Sequence, residues 1–119
     1  MQENFVNLNE IAMKIIMDAG DARDEIKKAL TEMSNNNFAE AQSNLEEAQL
    51  KIKSAHGAQT EMIQQEIEND SSFSTSLLFN HAQDTLMSIS SEFNLAKQFV
   101  VILQNIDQRI KVLENLEDM

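Results

Sequence analysis

Proline is absent from this chain, and glycine occurs only at Gly20 and Gly57. Three long segments therefore run without the residues that most readily end a helix. Within each, apolar or small side chains return every three or four positions. The first run is Ile11, Ile15, Ala19, Ala22, Ile26, Ala29 and Met33, and the second is Phe38, Ala41, Leu45, Ala48, Ile52, Ala55, Gln59 and Met62. The third, Ala82, Leu86, Ile89, Phe93, Ala96, Val100 and Leu103, steps 4, 3, 4, 3, 4, 3 in the manner of a coiled-coil seam. Such spacing places side chains on one face of a helix, whereas a half-buried strand alternates with period two. The expected fold is all-α: an antiparallel up-down-up three-helix bundle with helices over about 8–33, 38–68 and 76–116, forming one domain over 1–119.

The interruptions fit that order. Ser34-Asn35-Asn36-Asn37 is a tight turn, because Asn tolerates left-handed backbone and caps helices. Residues 69–76, polar and rich in Ser, form the second connection. Asn7 or Asn9 is expected to cap the first helix, and the acidic end from Glu114 to Met119 is expected to fray. Gly20 is expected where a neighbouring helix comes close, and Arg23 is expected to pair with Asp24, Glu25 or another helix. The seven methionines are expected largely on core stripes. With aromatics at only 5%, three long rods have little bulky filler, so self-association is the natural way to bury more surface.

Charge and composition remove several function classes. A net charge of −11 with nine scattered Lys and Arg excludes a basic nucleic-acid surface and adsorption to an anionic membrane. It suits a basic protein partner. No cysteine is present for a disulfide or a thiolate metal site. There is no leader-like N-terminal pattern and no apolar run near the ~20 residues of a membrane helix, so the expected location is cytoplasmic, without direct membrane insertion.

Chemistry concentrates at the start of the third helix, where one of the two histidines stands. At ~100° per residue, Asp84 lies about 60° to one side of His81 and Thr85 about 40° to the other. A neutral imidazole has a free nitrogen near pH 7 and forms a high-energy phosphoramidate. The ring also leans toward the positive end of the helix dipole. From spacing alone a polar surface histidine is the better reading of the same group. A second stripe, Asp84, Ser88, Ser91, Leu95, Gln98 and Ile102, suggests a contact with another copy. His56, in the middle of the second helix, reads as a buried structural histidine.

Four segments carry a family resemblance. Phe79-Asn80-His81-Ala82-Gln83-Asp84-Thr85-Leu86-Met87 resembles the active helix of the IIA components of the lactose/cellobiose branch of the bacterial sugar phosphotransferase system. The stretch from Ile11 to Arg23 resembles the family's first helix, Asn37-Phe38-Ala39-Glu40-Ala41 its first turn, and Ala55-His56-Gly57-Ala58-Gln59-Thr60 its Ala-His-x-x-Gln-Thr signature. The resemblance implies a homotrimeric phosphotransferase that takes a phosphoryl group from a phosphohistidine of the general phosphocarrier protein. It implies that the group sits on His81 and passes to a cysteine of the IIB component, for uptake of a β-linked disaccharide, with the membrane permease reached only through partners. It further implies phosphoryl contacts from Gln83 and Thr85, and one Mg2+ per trimer held by Asp84 at the three-fold axis. The chain departs from the family at Thr85, where a histidine is usual. The competing class is a non-catalytic, chaperone-like helical bundle that oligomerises through its third helix.

Overall fold

A computed structural model of the chain describes residues 2–68 and 77–118. It contains α1 (Gln2–Ser34), α2 (Phe38–Glu68) and α3 (Leu77–Glu117), with no strand among the described residues. The expected second turn at 69–76 lies outside them. Asn7 and Asn9 do not cap α1, because the helix is already formed from Gln2. The C-terminal end does not fray at Glu114 either. α3 continues to Glu117, and the Asp118 N–H still reaches the Glu114 carbonyl at 3.2 Å.

The α1–α2 turn is built on Asn36, whose φ of 62° lies in the left-handed region. The Asn37 N–H donates to the Glu32 carbonyl (2.9 Å) and the Asn36 N–H to the Met33 carbonyl (3.1 Å). That pair of bonds is a Schellman cap, which satisfies carbonyls left over at the helix end. The Asn37 side chain also donates to Glu32 Oε2 at 2.9 Å, tying the two sides of the turn together.

Side-chain pairs fix the directions. Lys51 meets Asp21 and Asn44 meets Glu25, so numbers fall along α2 as they rise along α1, and the two are antiparallel. Arg23 meets Glu92, while Ile26 and Leu30 share a groove with Leu95 and Phe99, so α1 and α3 run the same way. Arg23 thus pairs across the bundle and not with its sequence neighbours. Its Nε and Nη2 each donate to one Glu92 oxygen at 3.1 Å, a two-point contact that sets register although both side chains are solvated.

Ten of the 21 buried apolar residues are alanines, so the helices approach one another closely. Ile15, Met62, Leu86 and Ile89 supply the largest fully buried side chains. No polar or charged residue of the described part is buried as a whole, although Ser90 Oγ is shut off from solvent without a hydrogen-bond partner, and the molecule measures 75 × 18 × 17 Å. The methionines divide otherwise than expected. Met33 and Met62 are buried, but Met13, Met17 and Met87 stand in solvent, because each falls beside its helix's apolar stripe and not on it.

Gly20 marks no close approach. It is exposed, and a Cβ built on it would meet nothing within 4 Å. Its missing side chain only costs helix propensity. Gly20→Ala is accordingly expected to stabilise the chain by about 0.5–1 kcal/mol, read as a rise in the urea midpoint with unchanged slope.

A second latch joins α1 to α2. Lys14 Nζ donates to Asp18 Oδ2 (2.9 Å) and to Ser54 Oγ (3.0 Å), and the Ser54 hydroxyl donates to the same Asp18 oxygen (2.9 Å). Partial burial acts to raise the Asp18 carboxyl, but the bonds from Lys14 and Ser54 and the charges of Lys14 and Lys51 outweigh it and hold it below 3.8. A carboxyl lowered by folding adds stability that is complete above its unfolded value and lost as pH falls through the folded one. The stability advantage of the native chain over Asp18→Asn should thus be constant at neutral pH and shrink once pH drops below 3.8. Denaturant titration of both chains at several pH values measures it.

Candidate functional site

α3 carries its buried residues, Phe79, Ala82, Leu86, Ile89, Phe93, Ala96 and Val100, toward α1 and α2. His81 falls one position off that seam and is exposed, near the N-terminal end of the described helix. Asp84 and Ser88 are exposed on the same side, with Thr85 half-buried beside them; Gln83 is half-buried as well. The structure therefore brings His81, Asp84 and Thr85 onto one surface, while Gln83, two residues after His81 and so about 160° round the helix from it, falls on the other flank of α3. Leu86, immediately beyond, is fully buried and anchors this turn of helix against the core.

Thr85 has a geometry that the one-dimensional pattern did not reveal. Its hydroxyl donates to the backbone carbonyl of His81 at 2.8 Å. A threonine has a single hydroxyl hydrogen, and here the backbone one turn back holds it. As a donor to a group on the imidazole it would first have to leave that carbonyl. Thr60 does the same to the His56 carbonyl at 3.0 Å, so each histidine has a threonine four residues on, bonded to its main chain.

His56 is exposed, which corrects the expectation that it is buried. The buried positions around it are Ile52, Ala55 and Ala58, and residue 56 falls outside their stripe. Exposure thus does not separate the two histidines; helix position does. His56 lies mid-way along α2, where the dipole has little effect, whereas His81 lies four residues after Leu77.

Among the described residues, no three His, Asp or Glu side chains come together as a metal-binding group. Asp84 alone is one carboxylate on an open face. That face continues along the stripe expected from the sequence, where Leu95 and Ile102 are 57% and 50% exposed, and Phe99, which the stripe did not include, joins them at 41%. Beside them α1 contributes Leu30, in an apolar groove of about 280 Å³ closed at one end by the Arg23–Glu92 pair. Among the described residues no helix is long and apolar enough to cross a membrane.

The model of the family "PTS system, Lactose/Cellobiose specific IIA subunit" matches residues 10–104. The chain is 32% identical over 105 residues to the cellobiose-specific EIIA component of Lactococcus lactis subsp. lactis, a match covering 88% of this chain and 86% of that protein. Among solved structures, the cellobiose-specific enzyme IIA of Bacillus anthracis superposes with a TM-score of 0.76 at 31% identity, over 83% of this chain and 90% of that one. The IIA(chitobiose) chain of Escherichia coli, solved in complex with HPr, gives a TM-score of 0.71 at 26% identity, over 84% and 96% of the two chains. The chain belongs to the lactose/cellobiose-specific IIA subunit family of the sugar phosphotransferase system. It is a phosphotransferase of a phosphohistidine relay, and the non-catalytic bundle is set aside.

Proposed function

We propose that His81 is the residue that carries the phosphoryl group. The general phosphocarrier protein is the donor, a cysteine of the IIB component is the acceptor, and the relay serves uptake of a β-linked disaccharide. In the first step an imidazole nitrogen of His81 attacks phosphorus. The P–N bond to the donor histidine breaks as the P–N bond to His81 forms. In the second step the acceptor sulfur takes the phosphorus and His81 leaves as free imidazole. Phosphoryl transfer of this kind depends chiefly on positioning and charge stabilisation. The observation that carries the reading is an exposed histidine near the start of α3, backed by a closed core, inside the family's own motif. Two proteins must reach the same nitrogen in turn, and an exposed helix face permits both. That a related IIA forms a complex with HPr supports the donor. The chain's net charge of −11 favours a basic partner.

Three copies packed through α3 complete the proposed assembly. The exposed stripe of Asp84, Ser88, Ser91, Leu95, Gln98 and Ile102 supports it, because an unassembled chain leaves those apolar members in water. Three Asp84 carboxylates at a common axis would repel one another, and together they offer the hard oxygen donors that suit Mg2+. Such an ion would hold the assembly's register. The phosphoryl path from donor to His81 to acceptor does not pass through it. The assembly works in the cytoplasm and meets the permease only through its partners.

Intact mass after incubation with phosphoenolpyruvate, enzyme I and the phosphocarrier protein is expected to show one acid-labile phosphoryl per chain. His81→Ala should abolish it and His56→Ala should retain it; the opposite pattern would overturn the assignment. Since the Thr85 hydroxyl is held by the His81 carbonyl, Thr85→Val is expected to leave the decay of phospho-His81 within about twofold of the native rate. Thr85→His, which can supply a charged donor, should slow decay relative to the native chain, more so at mildly acidic pH. Phosphate release measured at two pH values checks both.

A further inference from the structure

α1 and α3 lie side by side in one register. Arg23 meets Glu92, 69 positions on, and the same offset brings Ala12 level with His81. His81 precedes Glu92 by about three helical turns, so its imidazole leaves α3 on the α1 flank, much as the Glu92 side chain does. On α1 at that level stands Met13, with Met17 one turn further, and they are 46% and 64% exposed. Residues four apart share a helix face, so the two thioethers form one patch. They line an open depression of about 480 Å³ together with Asn9, Glu10, Lys14, Asp18 and Asp21. That lining holds three carboxylates against one ammonium, and Lys14 is already engaged by Asp18 and Ser54. Met33 and Met62, by contrast, are buried in the core.

We propose that Met13 and Met17 form an oxidation site that controls how fast His81 is loaded, a regulation that rests on the reading of His81 as phosphoryl acceptor. A donor protein that brings its phosphohistidine to His81 must cover the α1 surface at the same level. The thioethers give that surface polarizable apolar contact, and the acidic rim suits a basic donor. Hydrogen peroxide transfers one oxygen to each sulfur. Its O–O bond breaks, an S–O bond forms and water leaves, so the sulfur is oxidised by two electrons as the peroxide is reduced. The sulfoxide is polar, and burying it against the donor requires a hydrogen-bond partner that the thioether did not need. Docking weakens while the imidazole itself is untouched. A dithiol-dependent sulfoxide reductase reverses the step: the oxygen leaves as water and the dithiol becomes a disulfide. Met87 is 67% exposed as well, but it lies about 120° round α3 from His81, off the α1 flank.

The test compares peroxide-treated and untreated protein in the initial rate of phosphorylation by the general phosphocarrier protein, over a range of donor concentrations. Peptide mass spectrometry locates the oxidised sulfurs, and Met13 and Met17 should oxidise well before Met33 and Met62. Treatment of the native chain should raise the donor concentration for half-maximal rate about tenfold and leave the plateau rate unchanged. Sulfoxide reductase should restore it. Met87→Leu should respond to peroxide as the native chain does. Met13→Leu/Met17→Leu, each preparation compared with itself before and after treatment, should show no change; all three positions are exposed, so these variants leave the core intact. A native chain fully oxidised at both sulfurs yet loaded at its former rate would overturn the oxidation site and leave His81 as acceptor. An equal loss in Met13→Leu/Met17→Leu, a lower plateau with half-saturation unmoved, or resistance of Met13 and Met17 to peroxide would overturn it as well. Phosphate retained in His81→Ala would instead overturn the acceptor assignment, and the proposal with it.

Discussion

Alanine sets the spacing of this bundle, and most of its other properties follow from that. Ala12, Ala19, Ala22, Ala29, Ala41, Ala48, Ala55 and Ala82 are wholly buried, so the helices touch nearly backbone to backbone. Close packing recovers dispersion energy that sparse aromatic filler cannot supply. It also leaves no interior room for a ligand. Chemistry in such a molecule has to happen on its outside, and a histidine on an exposed helix face meets that requirement.

A thin bundle has a second consequence. Three rods of this length enclose little volume for the surface they expose, so apolar residues remain on the outside, most of them on α3. Leu95, Phe99, Ile102, Ile106, Ile110 and Leu113 would be hard to explain in a lone chain, because each leaves a large apolar side chain in water. The same helix thus has one face that completes its own fold and another that is apolar and uncovered. His81 and Asp84 lie on the second.

Much of this was legible in the sequence. The three runs of apolar spacing gave the helices and their order, and the Asn35-Asn36-Asn37 cluster gave the turn, since only one residue there had to accept a positive φ. His81 and its neighbours could be placed on one surface from helical spacing alone. Errors arose where burial depends on a few tens of degrees about a helix axis. His56 and the exposed methionines each lie beside a buried residue in sequence, and linear spacing does not say how wide a stripe its neighbours cover. Gly20 misled for another reason: a glycine signals close approach only when something is close, and nothing is. The direction of the Thr85 hydroxyl depends on a rotamer, which spacing cannot express. The acidic C-terminal end was expected to fray because its apolar residues leave the core seam, yet α3 stays helical to Glu117 without packing on α1 or α2.

An α-helix makes five full turns in eighteen residues, the interval from His81 to Phe99. The two side chains therefore leave α3 in about the same direction, some 27 Å apart along its axis at 1.5 Å per residue. α3 is in this sense a keyed shaft. Any rotation of the helix that seats Phe99 better against a neighbour turns the imidazole through a similar angle. The direction in which the nucleophile points is then fixed partly by hydrocarbon contacts several turns below it.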